Sequence, residues 1–346
     1  MKKIYILFAL GFCMLSVLDE AYAQRRDNYR GDISKFRGFR NKFPKQSKYV
    51  SLGLTVNALN YFGDLAPKSG IFSTDISLTK PGFGLVGSYR MGERFSLRGS
   101  FTYGRIHGDD KEAADPEGEE SVYRYVRNLH FRNAIKELAV TAVFDLYKHK
   151  RSYISRVEFT PYAFFGVAVL HHNPQAKVSA DFGGPEAGQW VDLEPLGTEG
   201  QYVEGSGVDK YSKFQIAIPL GIGVRYKVSQ NFDLAFEIGY RHLFFDHLDD
   251  VGGNYIDKNR LEGGLNGLAA EMSDGSVRVE ETEPYYLYNS PIGEPYMVIP
   301  GYGHENGEAA GPNIRGNSAD KDIYIITSLQ LSYVFGARNF KRAKFR

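Results

Sequence analysis

The sequence predicts an all-β protein, an eight-stranded antiparallel transmembrane β-barrel with short periplasmic turns and long outer loops. Three observations carry this: an export leader, eight segments of two-residue alternation, and connections that switch strictly between short and long. Composition agrees. Aromatic residues make up 14% of the chain, with 24 Tyr and 24 Phe, and 38 Gly supply tight turns. A hydrophobic content of 42% excludes a disordered chain, and no apolar run beyond the leader is long enough for a spanning helix. The formal net charge of +1 gives no electrostatic ground for nucleic-acid binding.

The leader occupies residues 1–23. Lys2 and Lys3 precede an apolar stretch over 4–18, and Ala21-Tyr22-Ala23 offer small residues to a signal peptidase. Cys13 is the single cysteine and lies in this signal peptide. The mature protein therefore has no disulfide, no thiol nucleophile and no Cys-ligated metal.

A basic periplasmic extension is expected over 24–47, the barrel over 48–336 and a basic periplasmic tail over 337–346. Within the barrel the strands are read at 49–58, 83–90, 95–106, 137–146, 157–170, 213–228, 232–240 and 323–335. The sixth is the clearest. Phe214, Ile216, Ile218, Leu220, Ile222, Val224 and Tyr226 alternate with Gln215, Ala217, Pro219, Gly221, Gly223, Arg225 and Lys227, a period of two that no helix produces. Connections at 91–94, 147–156 and 229–231 are short; those at about 59–82, 107–136, 171–212 and 245–321 are long. A sandwich has no reason to sort its loops this way, whereas an outer-membrane barrel does.

The polar face carries Arg90, Arg98, Glu137, Asp145, Glu158, Arg225, Asp233, Glu237 and Arg241, which are expected to pair inside the lumen. Eight strands leave an interior just wide enough to be filled by side chains, so a porin is not expected. Arginine at Ile218 or Ile222 should impair assembly, and a lumen change such as Gly221→Ser should be milder.

Four stretches carry a family resemblance: Asn60-Tyr61-Phe62-Gly63-Asp64-Leu65, Phe95-Ser96-Leu97-Arg98-Gly99 leading into Thr102-Tyr103-Gly104, Leu248-Asp249-Asp250-Val251-Gly252-Gly253-Asn254-Tyr255, and Arg315-Gly316-Asn317. Over about 49–335 the chain resembles the PorG-like outer-membrane β-barrel family of the type IX secretion system of Bacteroidota. The resemblance implies a non-enzymatic membrane protein of the cell outer membrane, engaged in protein transport, that contacts the periplasmic PorK/PorN ring.

The expected partner-binding residues lie on the periplasmic side. Arg25, Arg26, Arg30, Lys35, Arg37, Arg40 and Lys42 interleave with Phe36, Phe39 and Phe43, and the tail adds Arg338, Lys341 and Arg342. Aromatic anchors among cations suit an acidic partner, here the periplasmic secretion-ring proteins. Contact of the same cations with outer-membrane lipid headgroups is the simpler use. No nucleic acid is expected.

No catalytic residue is assigned. His107, His171, His172, His242 and His247 lie near outer strand ends, but no Ser-centred motif accompanies them. No cofactor is expected, with one open case. Asp246, Asp249, Asp250 and Asp257 have oxygen ligands suited to Ca²⁺, but they lack the EF-hand pattern, and turn capping around Gly252-Gly253 explains them equally. The acidic run through Asp109, Asp110, Glu112, Asp115, Glu117, Glu119 and Glu120 reads as a solvated loop tip. The rival to a secretion role is an outer-surface barrel whose long loops capture a ligand or host molecule.

Overall fold

The computed structural model describes residues 48–65, 78–114, 122–149, 153–261, 267–275, 286–288, 296–298, 315–317 and 321–335. In chain order the strands are β1 (Val50–Phe62), β2 (Lys80–Arg90), β3 (Phe95–Asp109), β4 (His130–Asp145), β5 (Phe159–His171), β6 (Pro174–Lys177), β7 (Trp190–Asp192), β8 (Phe214–Lys227), β9 (Phe232–Leu243), β10 (Tyr286–Tyr288), β11 (Tyr296–Val298) and β12 (Ile323–Phe335). Short helices α1 (Asp110–Ala113) and α2 (Val122–Arg127) join β3 to β4, and α3 (Lys258–Leu261) and α4 (Leu268–Ser273) follow β9.

Eight strands close a ring in the order β1-β2-β3-β4-β5-β8-β9-β12, every pair antiparallel. β12 returns to β1 from Val50↔Phe335 to Phe62↔Ile323, so no ring strand is left as an edge. Among the described residues no helix is long and apolar enough to cross a membrane. The strands do the crossing. Leu54, Val56, Phe83, Leu138, Val167 and Ile222 point outward and are each about 60% or more exposed, in a belt continued around the wall by Leu52, Leu85, Phe165, Ile216 and Leu329. An apolar surface that encircles the molecule is far larger than a water-soluble monomer tolerates, and hydrocarbon is the solvent that matches it.

The strands run further toward the long loops than alternation alone indicated. β4 shows why. Between Glu137 and Asp145 its outward residues Leu138, Val140, Ala142 and Phe144 are apolar and its inward ones include Glu137, Thr141 and Asp145. Beyond that, the phase inverts: His130, Arg132 and Lys136 face outward while Phe131 and Ile135 are buried inside. The inversion marks where the strand leaves lipid for water, and it erases a continuous apolar face. In β1 the end is hidden differently, because Leu59, Asn60 and Tyr61 are all buried beneath the loops.

One lumen glycine is not interchangeable. A Cβ at Gly221 would run into the Ile238 carbonyl and the Phe164 ring, so Gly221→Ser is not the mild change its inward position suggested.

The long connections build a second structure above the barrel. β6 and β7 form a ribbon that extends the sheet from β4, through Arg132↔Gln175 and Ala176↔Val191. Ala176, Val178, Leu193, Leu196, Leu261, Leu268, Ala269 and Met272 pack into a core of their own between this ribbon and α3 and α4. This cap is built from the long loops expected over 171–212 and from the described parts of 245–321.

Candidate functional site

The lumen is filled in layers. At the turn end Arg90 pairs with Asp145, which also takes Arg225 at 3.2 Å and His149 at 3.1 Å. Arg156 donates to Asp233 at 2.7 Å and to the carbonyls of Tyr153 and Gln230, tying two turns together. In the middle Arg98 pairs with Glu237, which accepts the Tyr162 hydroxyl at 2.5 Å. Next, Arg241 reaches Glu137 at 3.1 Å, and the Tyr324 hydroxyl donates to Glu137 at 2.5 Å. Glu158, expected among these, lies just before β5 and is exposed. Above the ion pairs an apolar layer that includes Leu59, Ile106, Phe131, Ile135, Leu170, Leu243 and Leu248 closes the interior. A cavity of about 20 Å³ beside Arg98, Tyr162 and Glu237 has room for about one water. The barrel is not an open conduit.

Over that layer sits a buried polar network. Arg127 makes a two-pronged pair with Asp110, at 2.6 and 2.7 Å, and donates to the carbonyls of Asp64 and Arg315 at 2.7 Å each. Arg315 pairs with Glu199 at 3.0 Å and donates to the Asp250 carbonyl at 2.5 Å. Glu199 also accepts the amides of Gly252 and Gly253, both at 3.1 Å. Burial opposes its charge, yet the His247 ring 3.3 Å away and Arg315 hold the Glu199 carboxyl down at about 2. Asp250 adopts a left-handed backbone with φ of 70°, fixed by hydroxyls of Thr198 at 2.6 Å and Tyr211 at 2.5 Å.

Among the described residues, four acids of the cap form no ion pair with an arginine. The Tyr61 hydroxyl is 2.6 Å from both Asp249 Oδ2 and Asp322 Oδ1. One hydroxyl proton serves one of these contacts, so the other needs a proton on a carboxyl. Burial pushes Asp322 up to about 8, against the hydrogen bonds from Tyr61 and the Leu248 amide. Burial likewise raises Asp249 well above the usual carboxylate range, with Asp322 and Asp64 adding to it. Asp246 is raised to about 6 by burial; neither of its oxygens has a hydrogen-bond partner among the described residues, and Lys321 Nζ stands 3.9 Å off. Asp64, also raised by burial, accepts the Asn317 amide at 3.0 Å.

This placement separates the expected calcium ligands. Asp246 and Asp249 belong to the acid cluster, Asp250 is turned to Thr198 and Tyr211, and Asp257 accepts the Asn259 amide at 3.0 Å beside α3. The four do not converge. Among the described residues the one metal-type trio with ligand atoms within 4.8 Å of each other is His107, Asp109 and Glu112, on the loop end of β3 and on α1.

The histidines are dispersed too. Burial lowers His172 to about 4, and its ring stacks on Tyr211, which stacks in turn on His247. His107 Nδ1 lies 2.7 Å from the Phe131 carbonyl, and the rings of His171 and His242 meet Phe214 and Phe244. Of the acidic run, Asp110 is buried rather than solvated, and 115–120 lie outside the described residues. So do the leader, the basic extension from Arg25 to Phe43 and the tail with Arg338, Lys341 and Arg342. The Val50↔Phe335 pairing attaches both extensions to neighbouring strands at the turn end.

Sequence reasoning passed over Arg127, Glu199 and Asp322. They sit outside the alternating strands, Arg127 at the end of α2 and the other two in irregular connections, where no periodicity marks them.

A model for a domain of unknown function, DUF6089, matches residues 39–181, less than half of the chain. No curated protein matches. Among solved structures, the attachment invasion locus protein Ail of Yersinia pestis is 10% identical, with 83% of this chain and 97% of that chain covered and a TM-score of 0.32. Neisserial surface protein A is 12% identical, with the same 83% and 97% coverage and a TM-score of 0.32. The outer-membrane protein OprG of Pseudomonas aeruginosa is 8% identical, with 85% and 98% covered and a TM-score of 0.34. At such scores these likenesses add nothing to the barrel read directly from its hydrogen-bonded ring.

Proposed function

We propose that the chain is a non-conducting barrel of the bacterial outer membrane that links a periplasmic secretion assembly to that membrane, of the kind the type IX resemblance implies. The observation that supports this best is the filled lumen. Stacked ion pairs and the apolar layer over them leave no path through the barrel, so its work falls to surfaces at the two ends. The basic, Phe-interleaved 24–48 segment and the 337–346 tail continue the chain from adjacent strand ends at the turn rim. An acidic periplasmic partner is the complement of that rim.

Deletion of 26–47 tests the reading, since it spares the leader junction and β1. The shortened barrel is expected to assemble, shown by heat-modifiable migration, and to lose its periplasmic partner in co-purification at moderate salt. Wild-type recovery of the partner would remove the N-terminal docking role.

A second reading has its own support. The cap carries a hydrophobic core and a buried polar network, which hold its outer face in one shape, as a surface that captures an external ligand requires. Exchange of the cap for short turns should abolish such capture and leave periplasmic co-purification intact.

A further inference from the structure

Among the described residues, the outer wall of the barrel carries a cluster of cations on β3 and β4. β3 and β4 pair as Phe101↔Leu138, Tyr103↔Lys136, Arg105↔Ala134 and His107↔Arg132, and all of these residues face away from the lumen. Toward the loops, the apolar Phe101 and Leu138 give way to Tyr103 and Lys136, then to Arg105 and Arg132. Arg105 and Lys136 are exposed. Among the described residues none of the three cations forms an ion pair, whereas Arg90, Arg98, Arg225 and Arg241 in the lumen all do. Arg132 donates to the neutral Gln175 at 3.0 Å and lies 4.0 Å from the centre of the Trp190 ring. The opposite wall carries outward Tyr240 and Ile325 near its loop end, so the strip is one-sided.

We infer that this strip binds the phosphate groups of a net anionic lipid in the outer leaflet, one whose phosphates carry no headgroup cation, with the acyl chains seated on the apolar wall below. The inference rests on the membrane reading above, with the cap outward. Two arginines and a lysine that form no ion pair among the described residues, set beside hydrocarbon, present forked and point-like donors to an anion. Continuity with the lipid-facing belt selects a lipid over a soluble anion, because Phe101, Leu138 and Val140 run directly beneath the cations. Lys136 sits level with Tyr103, where a basic and an amphipathic side chain meet the headgroup region.

Trp190 is the only tryptophan and touches Arg132, so it reports on the site. The full-length mature protein would be placed in phosphatidylcholine nanodiscs containing graded amounts of bisphosphorylated lipid A, its dephosphorylated form, or inorganic phosphate alone. A saturable change in Trp190 emission is expected with the phosphorylated lipid, together with lipid retained in native mass spectrometry. R105Q/K136Q leaves Arg132 on Trp190 and should weaken binding about thirtyfold, from the worth of two basic residues at an anionic surface. R105K/K136R should retain binding, and heat-modifiable migration checks that both variants fold. Equal retention of the dephosphorylated lipid, an unaffected R105Q/K136Q, or an equal response to inorganic phosphate with no lipid retained would each overturn the lipid site. A barrel that fails to enter nanodiscs would overturn the membrane reading with it; one that enters without phosphate preference overturns the lipid site alone.

Discussion

The lumen and the cap both bury charge, and they balance it differently. In the lumen each buried carboxylate has a cation: Asp145 takes Arg90 and Arg225, Glu237 takes Arg98, Glu137 takes Arg241 and Asp233 takes Arg156. In the cap, Arg127 and Arg315 satisfy Asp110 and Glu199 and approach Asp250, while Asp64, Asp246, Asp249 and Asp322 form no arginine ion pair among the described residues, with protons and amides shared at Asp64, Asp249 and Asp322. Matched charges hold a shape at any pH above the carboxylate range. Surplus acids make the shape depend on pH. The barrel is thus built for permanence and the cap for a shape set by its surroundings.

The largest effect that would sharpen this contrast is loss of one lumen partner. Glu137→Leu leaves Arg241 buried without its counter-ion and removes the acceptor of the Tyr324 hydroxyl, which should cost about 3–5 kcal/mol. Urea titration of the heat-modifiable band measures it, and Glu137→Leu with Arg241→Leu should recover most of the loss. A double variant as unstable as the single one would mean the pair is not what the lumen requires.

Next comes Arg315→Leu, which removes the arginine beside Asp250 and leaves Glu199 with His247 alone. Local opening of the cap by about 3 kcal/mol is expected, seen as proteolysis between 171 and 212, with the heat-modifiable band unchanged. Collapse of the barrel as well would show that the two regions are one cooperative unit and would break the comparison.

The last effect depends on pH and has the opposite sign. Asp322 has a folded-state pKa of about 8 against an ordinary 3.8, so the folded cap binds more protons than the unfolded chain between those values. Cap stability from this group is full below pH 4 and falls as pH rises through 8. Asp322→Asn should therefore flatten that slope and leave the cap more protease-resistant at pH 8 than the parent. Glu199 works the other way: its pKa is depressed from 4.5 to about 2, so its contribution is lost only as pH falls through that window. A parent cap equally resistant at pH 5 and pH 8 would refute the surplus-acid account.

The barrel was legible because lipid imposes a rule on every second residue. Ile216 through Tyr226 and Phe232 through Tyr240 obey it without exception. Legibility stopped where lipid stopped. At His130–Lys136 the same strand continues with its polarity reversed, and a reader of alternation ends it too soon. The lumen pairs were half legible: the charged residues were visible on the inward face, but their partners lie as far apart as Arg98 and Glu237 in the chain, and Glu158 was wrongly counted among them. The cap was the least legible. Glu199, Asp250 and Arg315 meet through turns with no period, and Asp250 and Asp257 look like companions in sequence while facing different neighbours.

The seam between β1 and β12 bears on how such a molecule is made. Its two strands are separated by nearly the whole barrel sequence, yet they share thirteen residues of register. Until the final strand is delivered, both β1 and β9 keep a raw edge of unpaired amides and carbonyls, an invitation to pair with other chains. Closure is therefore a late, long-range event with a high entropic barrier. A chain truncated before Ile323 would be an open, sticky sheet and not a smaller barrel, which makes the last thirteen strand residues the point at which a cell can tell a finished product from scrap.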